Sequence, residues 1–132
     1  NEGMATFMEW RWAERRHGTS ADQRLRLLHG SYAPSLPFWR VQIGDPGAAR
    51  LFHDAVYVRG AMTMQALRNR VGEEAFWTIV RTWLADHGGG NASSAQFRAL
   101  AEQVSGQDLE AFFRAWLDTP ARPASTAANG LG

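Results

Sequence analysis

Asp54-Ala55-Val56-Tyr57-Val58-Arg59-Gly60-Ala61-Met62-Thr63-Met64-Gln65-Ala66-Leu67-Arg68-Asn69-Arg70-Val71 is the stretch whose pattern sets the fold class. Val56, Gly60, Met64, Leu67 and Val71 recur four, four, three and four residues apart, which is the period of one helix face. Gly72 follows where a helix usually breaks. The same period returns downstream. Phe76, Ile79, Val80, Trp83 and Leu84 form a stripe stopped by Gly88-Gly89-Gly90. Phe97, Leu100, Ala101 and Val104 form the next, opened by a Ser93/Gln96 capping box and closed by Gly106. Leu109, Phe112, Phe113, Trp116 and Leu117 make a last one. Upstream, Ser20 and Gln23 form a capping box for a helix bearing Leu25, Leu27 and Leu28 that ends near Gly30 or Tyr32. Pro34, Pro37, Gly44, Asp45, Pro46 and Gly47 interrupt the region before Asp54, and the brief alternation of Trp39, Val41 and Ile43 predicts a packed loop rather than a strand.

Every element is thus a helix joined by short connections, which predicts an all-α bundle or helical array of six or so helices with little or no sheet. Trp12, Phe76, Trp83, Phe112 and Trp116 are expected to be mostly buried. Residues 1–119 form one domain. Residues 120–132 turn to Ala, Pro, Ser, Gly and Asn with almost nothing to bury, and so read as a flexible tail. The echo of Glu74-Ala75-Phe76-Trp77 in Glu110-Ala111-Phe112-Phe113 gives two copies, too few for stacked repeats.

Composition narrows the function classes. The net charge is +1 and the fourteen basic residues, all arginine, are scattered without a run, so no nucleic-acid or anionic-membrane surface is indicated. The absence of cysteine excludes disulfides and thiol catalysis within these residues and leaves the compartment open. No apolar run approaches the ~18 residues of a membrane helix. His17, His29, His53 and His87 lack the i, i+4 spacing of a helical metal pair and read as surface or capping residues.

The opening residues, Asn1-Glu2-Gly3-Met4-Ala5-Thr6-Phe7-Met8-Glu9-Trp10-Arg11-Trp12, carry the chemistry. Apolar positions 4, 7, 8 and 12 have helical spacing, and the helix is expected to run to about His17 and stop at Gly18. Seven residues at ~100° each return Glu9 to nearly the azimuth of Glu2, so both carboxylates leave one face two turns apart. A carboxylate on a helix entering a core needs an arginine, a cap donor or a metal ion.

Asn1-Glu2-Gly3-Met4-Ala5-Thr6-Phe7-Met8-Glu9 resembles the Asn-Glu-Gly-Phe-Ala-x-Tyr-x-Glu stretch of the aminopeptidase N-like gluzincin metallopeptidases, with Met4 and Phe7 as conservative departures. Tyr57-Val58-Arg59-Gly60-Ala61 resembles the Tyr-x-Lys/Arg-Gly-Ala motif of the same family, with Val58 where an acidic residue is frequent. The closing Leu109–Leu117 passage is similar to the last helices of short bacterial members. The resemblance implies that Glu2 is the third protein ligand of a catalytic zinc, downstream of a His-Glu-x-x-His helix. It also implies that Tyr57 donates to the oxyanion formed when water attacks the peptide carbonyl. A neutral donor fixed beside developing charge favours the transition state over the ground state. Taken by itself, Tyr57 also reads as a packed helix-edge residue with its hydroxyl satisfied by backbone.

Glu9, about 10 Å along the axis from Glu2, is expected to be a supporting carboxylate in an ion pair rather than a ligand. Gly60 inside a helix costs about 1 kcal/mol relative to Ala, which implies a reason such as close packing against another backbone. By the resemblance, the chain is the C-terminal helical half of a thermolysin-like catalytic domain. Its parent is a zinc aminopeptidase acting on peptides, with any targeting segment upstream of residue 1. The fragment alone, lacking the other ligands and the general base, is expected to hold no zinc and to be inactive. Its uncovered active-site face is expected to favour self-association. The competing reading is a helical module that binds a peptide or partner protein through aromatic grooves.

Overall fold

A computed structural model describes residues 1–132. It is all-helical and has no strand. Six α-helices follow in order: α1 (Glu2–Arg15), α2 (Ala21–Ser31), α3 (Asp54–Val71), α4 (Glu73–His87), α5 (Ser94–Ser105) and α6 (Glu110–Phe113), the last continuing as a π-helical turn over Arg114–Asp118. Short 3-10 turns cover Pro37–Arg40, Ala48–Arg50 and Ala127–Asn129. Both capping boxes form, Ser20 with Gln23 and Ser93 with Gln96, and each serine accepts the N–H of its glutamine while the glutamine side chain accepts in return.

α3 is the central element, because every residue from Ala61 to Leu67 is buried. α1 lies along it, α2 and α4 flank the pair, and α5 packs on α4. Glycine decides how closely α1 approaches. A Cβ added to Gly3 would stand 2.6 Å from the Gly60 Cα, and one added to Gly60 would stand 2.7 Å from the Gly3 Cα. The two Cα atoms are therefore within roughly 4 Å of each other, allowing for one carbon–carbon bond. Further along, Glu14 lies 3.9 Å from the Arg68 guanidinium, so α1 and α3 run in the same direction. Phe7 then meets the Phe76 ring edge-on at 5.4 Å, joining α4 to the pair.

The buried stripe of α1 is Gly3, Phe7 and Trp10 rather than the apolar positions 4, 7, 8 and 12. Trp12, expected in the core, is 64% exposed. It sits two residues, or about 200°, from Trp10 and so points outward, where Arg16 covers its ring. Phe76, Phe112 and Trp116 are buried as expected, whereas Trp83 is half-buried against Phe97. The end of α1 also differs. The left-handed residue is His17, at φ 64°, and not Gly18. Gly18 is required by space instead, since a Cβ there would lie 2.8 Å from the Ala13 carbonyl oxygen.

Residues 120–132 pack against the bundle, contrary to the expectation of a flexible tail. Leu131 is buried, Trp116 Nε1 donates to the Asn129 carbonyl and Asn69 Nδ2 to that of Gly130. Low apolar content misleads here, because small residues let the backbone itself lie against α3. A Cβ on Gly130 would come within 2.1 Å of the Ala66 carbonyl oxygen. His29, expected at the surface, is buried and bonds the Pro123 carbonyl through Nε2 at 2.8 Å. His53 does cap α3, its Nδ1 accepting the Ala55 N–H.

Two outcomes follow from this packing. Gly60→Ala is expected to destabilise the fold by about 1–3 kcal/mol, because backbone at the crossing cannot step aside as a flexible side chain would. A denaturant midpoint unchanged by the substitution contradicts the close crossing. Burial pushes the His29 imidazole below its ordinary 6.5; the Pro123 carbonyl opposes this and Arg122 adds to it. The unfolded ring therefore takes up a proton before the folded one, and stability drains away as pH falls below about 6.5. Unfolding curves between pH 7 and 5 should be steeper in pH for the native chain than for His29→Gln.

Candidate active site

Glu2 opens the first turn of α1, and Tyr57 stands in the first turns of α3. The Gly3–Gly60 contact fixes their relation. Glu2 directly precedes Gly3, and Tyr57 is one turn ahead of Gly60. Adding these steps bounds the separation of the two Cα atoms at roughly 13 Å. Because the helices run parallel, both residues sit at the same end of the pair.

Neither side chain is in the core; both are half-buried. The Glu2 carboxylate takes part in none of the six ion pairs, which all involve other residues. Tyr57 differs from Arg59 and Thr63 on the same helix in that its hydroxyl has no hydrogen-bond partner in the chain. The reading in which backbone satisfies that phenol is therefore not what the structure has. Glu9 is exposed and forms no ion pair, which corrects the expectation of one. No basic residue stands three or four positions away from it on α1. By contrast Glu14, on the buried side, bonds Arg11 at 2.6 Å and accepts the Ala21 N–H. Burial tends to raise its pKa, and the Ala21 N–H, Arg11 and Arg68 together hold it below the usual carboxylate value.

A cavity of about 200 Å³ opens on one side of the crossing, lined by Asn1, Met4, Val56, Gly60, Met64, Trp83 and Phe97 among others. Neither Glu2 nor Tyr57 lines it. It is mainly apolar and offers no acidic or basic side chain.

Arg59, within the Tyr57–Ala61 motif, has a role the sequence did not reveal. It is fully buried. Nη1 donates to the carbonyls of Trp39 at 2.8 Å and Val41 at 3.0 Å. Nη2 donates to those of Ala115 at 3.1 Å, Thr119 at 2.7 Å and Ala121 at 3.3 Å. Burial pushes its pKa down to about 10, partly opposed by Asp118, so it remains a cation at neutral pH. One signal was present in the sequence. Ala55, Arg59, Met62 and Ala66 follow helical spacing and all are buried, which puts a guanidinium on a core-facing stripe.

The model of the peptidase family M1 domain matches residues 1–116. The chain belongs to that family. Among curated relatives, aminopeptidase N of Streptomyces lividans is 35% identical over 68 residues, which are 52% of this chain and 8% of that protein. Aminopeptidase N of Lactococcus lactis subsp. lactis is 31% identical over 89 residues, 66% of this chain and 10% of its own length. A probable M1 family aminopeptidase of Encephalitozoon cuniculi is 29% identical over 87 residues, which are 64% of this chain and 10% of that protein. The chain thus spans about a tenth of the length of the curated relatives it matches. No solved structure matches it.

The family is one of peptidases, and the donor set of these residues can be compared with what a metal ion requires. No three His, Cys, Asp or Glu side chains of these residues come together as a metal site. Glu2, unpaired and half-exposed, can supply one carboxylate oxygen. A zinc ion held there needs its other donors from outside residues 1–132.

If Glu2 and Tyr57 have no structural partner, replacing them should leave the fold intact. Glu2→Gln and Tyr57→Phe are each expected to change unfolding free energy by less than about 0.5 kcal/mol. A loss above about 1 kcal/mol for Tyr57→Phe in urea titration would mean that the hydroxyl holds the fold together.

Proposed function

We propose that this chain forms the helical part of a zinc aminopeptidase that hydrolyses N-terminal residues from peptides, with Glu2 as one zinc ligand and Tyr57 as the oxyanion donor. The observation that carries this reading is the glycine crossing, which sets two family motifs side by side with neither functional side chain used by the fold. When bound, zinc polarises the scissile carbonyl and activates water. The chain's own contributions are simpler. Glu2 offers a carboxylate at the start of α1, on a helix held by Phe7 and Trp10. Tyr57 offers a neutral O–H from a helix that cannot easily move, and its hydrogen bond strengthens as charge develops on the carbonyl oxygen.

The general base and the remaining ligands lie outside these residues. The 132 residues by themselves are accordingly proposed to be inactive and to retain no stoichiometric zinc.

In the complete gene product, Tyr57→Phe should lower kcat by about 10²–10³ with zinc retained, the usual loss for one preorganised oxyanion donor. Glu2→Ala should instead lose metal, as read by zinc content after dialysis. Unaltered turnover in Tyr57→Phe, or full zinc retention in Glu2→Ala, contradicts the assignment of that residue. Turnover of an aminoacyl p-nitroanilide by the isolated 132 residues contradicts the proposed inactivity.

A further inference from the structure

Arg59 is the only fully buried charged side chain, and the chemistry proposed above leaves it unused. Its acceptors come from two places. Trp39 and Val41 lie at and just after the 3-10 turn Pro37–Arg40, and Ala115, Thr119 and Ala121 lie in and after the π-helical turn at the end of α6. The π turn is what frees one of them. In an α-helix the Thr119 N–H would bond the Ala115 carbonyl; here it donates to Arg114 at 2.8 Å. The Ala115 carbonyl is left to accept from Arg59. Below the guanidinium lies the Trp39 ring, 5.6 Å from Cζ to centroid.

We infer that Arg59 is a positioning residue for Tyr57: its guanidinium ties the first turns of α3 to the Pro37–Val41 and Ala115–Ala121 backbone and thereby fixes the azimuth of the phenol. This rests on Tyr57 being the oxyanion donor. The two residues are two apart on one helix, so Tyr57 projects about 200° away from the anchored side. Gly60, next to Arg59, holds α1 close but its glycine contact offers no directional bond that resists rolling. Five carbonyls in fixed positions do. The phenol oxygen of a helical tyrosine is roughly 9 Å from the helix axis, so a roll of about 15° moves it by about 2 Å. Displacements of about 1 Å in a positioned group can cost 10²-fold in rate.

The number of donors at position 59 gives the test. Lysine has three tetrahedral donors and glutamine two, against the planar fork of arginine. In the complete gene product, with an aminoacyl p-nitroanilide as substrate, Arg59→Gln is expected to lower kcat by about 10–100-fold and Arg59→Lys by less than about 10-fold. KM and zinc content should stay within about twofold in both, a split that general loss of structure does not produce. Adding Tyr57→Phe to Arg59→Gln should cost less than about tenfold, because a misplaced phenol has little left to lose.

Unchanged kcat per zinc-loaded molecule in both position-59 variants overturns the inference while leaving Tyr57 as donor intact. Full additivity with Tyr57→Phe overturns it as well. Failure of both variants to give folded, zinc-loaded protein overturns it too, since Arg59 is then needed for the fold alone. A Tyr57→Phe enzyme of native kcat removes the reading on which it rests.

Discussion

Two glycines in contact set the geometry on which this structure depends. With Gly3 and Gly60 backbones touching, α1 and α3 pack closer than side chains on either helix would allow. That closeness has consequences along the whole pair. It brings Phe7 onto Phe76 and sets Glu14 beside Arg68, so the contact at one end determines the register at the other. A glycine in mid-helix costs about 1 kcal/mol of helix stability, and the burial it permits along α1 offsets that cost. The same contact places the start of α1 beside the first turns of α3, where the M1 motifs lie.

Around this contact the fold divides its polar groups in two. Most of those on the inside have partners: Thr63 donates to the Arg59 carbonyl, Gln65 to Asn69, and the two Nη atoms of Arg59 to five carbonyls, while its Nε is left without one. Arg98 and Asp118 pair bidentately next to the π turn. Glu2 and Tyr57, half-buried near the crossing, have side chains bonded to nothing in the chain. On the function proposed above, these two groups are kept for the metal and the substrate carbonyl rather than for the fold.

Much of the architecture was legible in the sequence because it depended on local rules. Stripes of period 3.6, serine–glutamine boxes and the glycines at 72, 88 and 106 place α2 to α5 with their ends. Gly60 was legible as a close approach to another backbone, though its partner was not. Three features lay beyond local rules. Trp12 matched an apolar stripe, but which face of α1 is buried depends on what α3 and α4 present to it. The last thirteen residues have few apolar groups, and their order comes from donors outside the segment: His29 and Asn69, far away in sequence, and Trp116 in the turn just before it. Arg59 looked like one letter of a motif. Its acceptors are backbone carbonyls, which no residue type announces. For the site, residue identity and order suggested Glu2 and Tyr57, while their freedom from internal partners required the three-dimensional structure.

The most direct measurement is anomalous diffraction at the zinc edge from crystals of the complete gene product. A zinc peak roughly 2.0–2.2 Å from a Glu2 carboxylate oxygen, with the Tyr57 hydroxyl turned toward the open side of the metal, is the predicted result. A zinc ion bound away from Glu2, or a Tyr57 phenol directed to the far side of the bundle, would contradict the account.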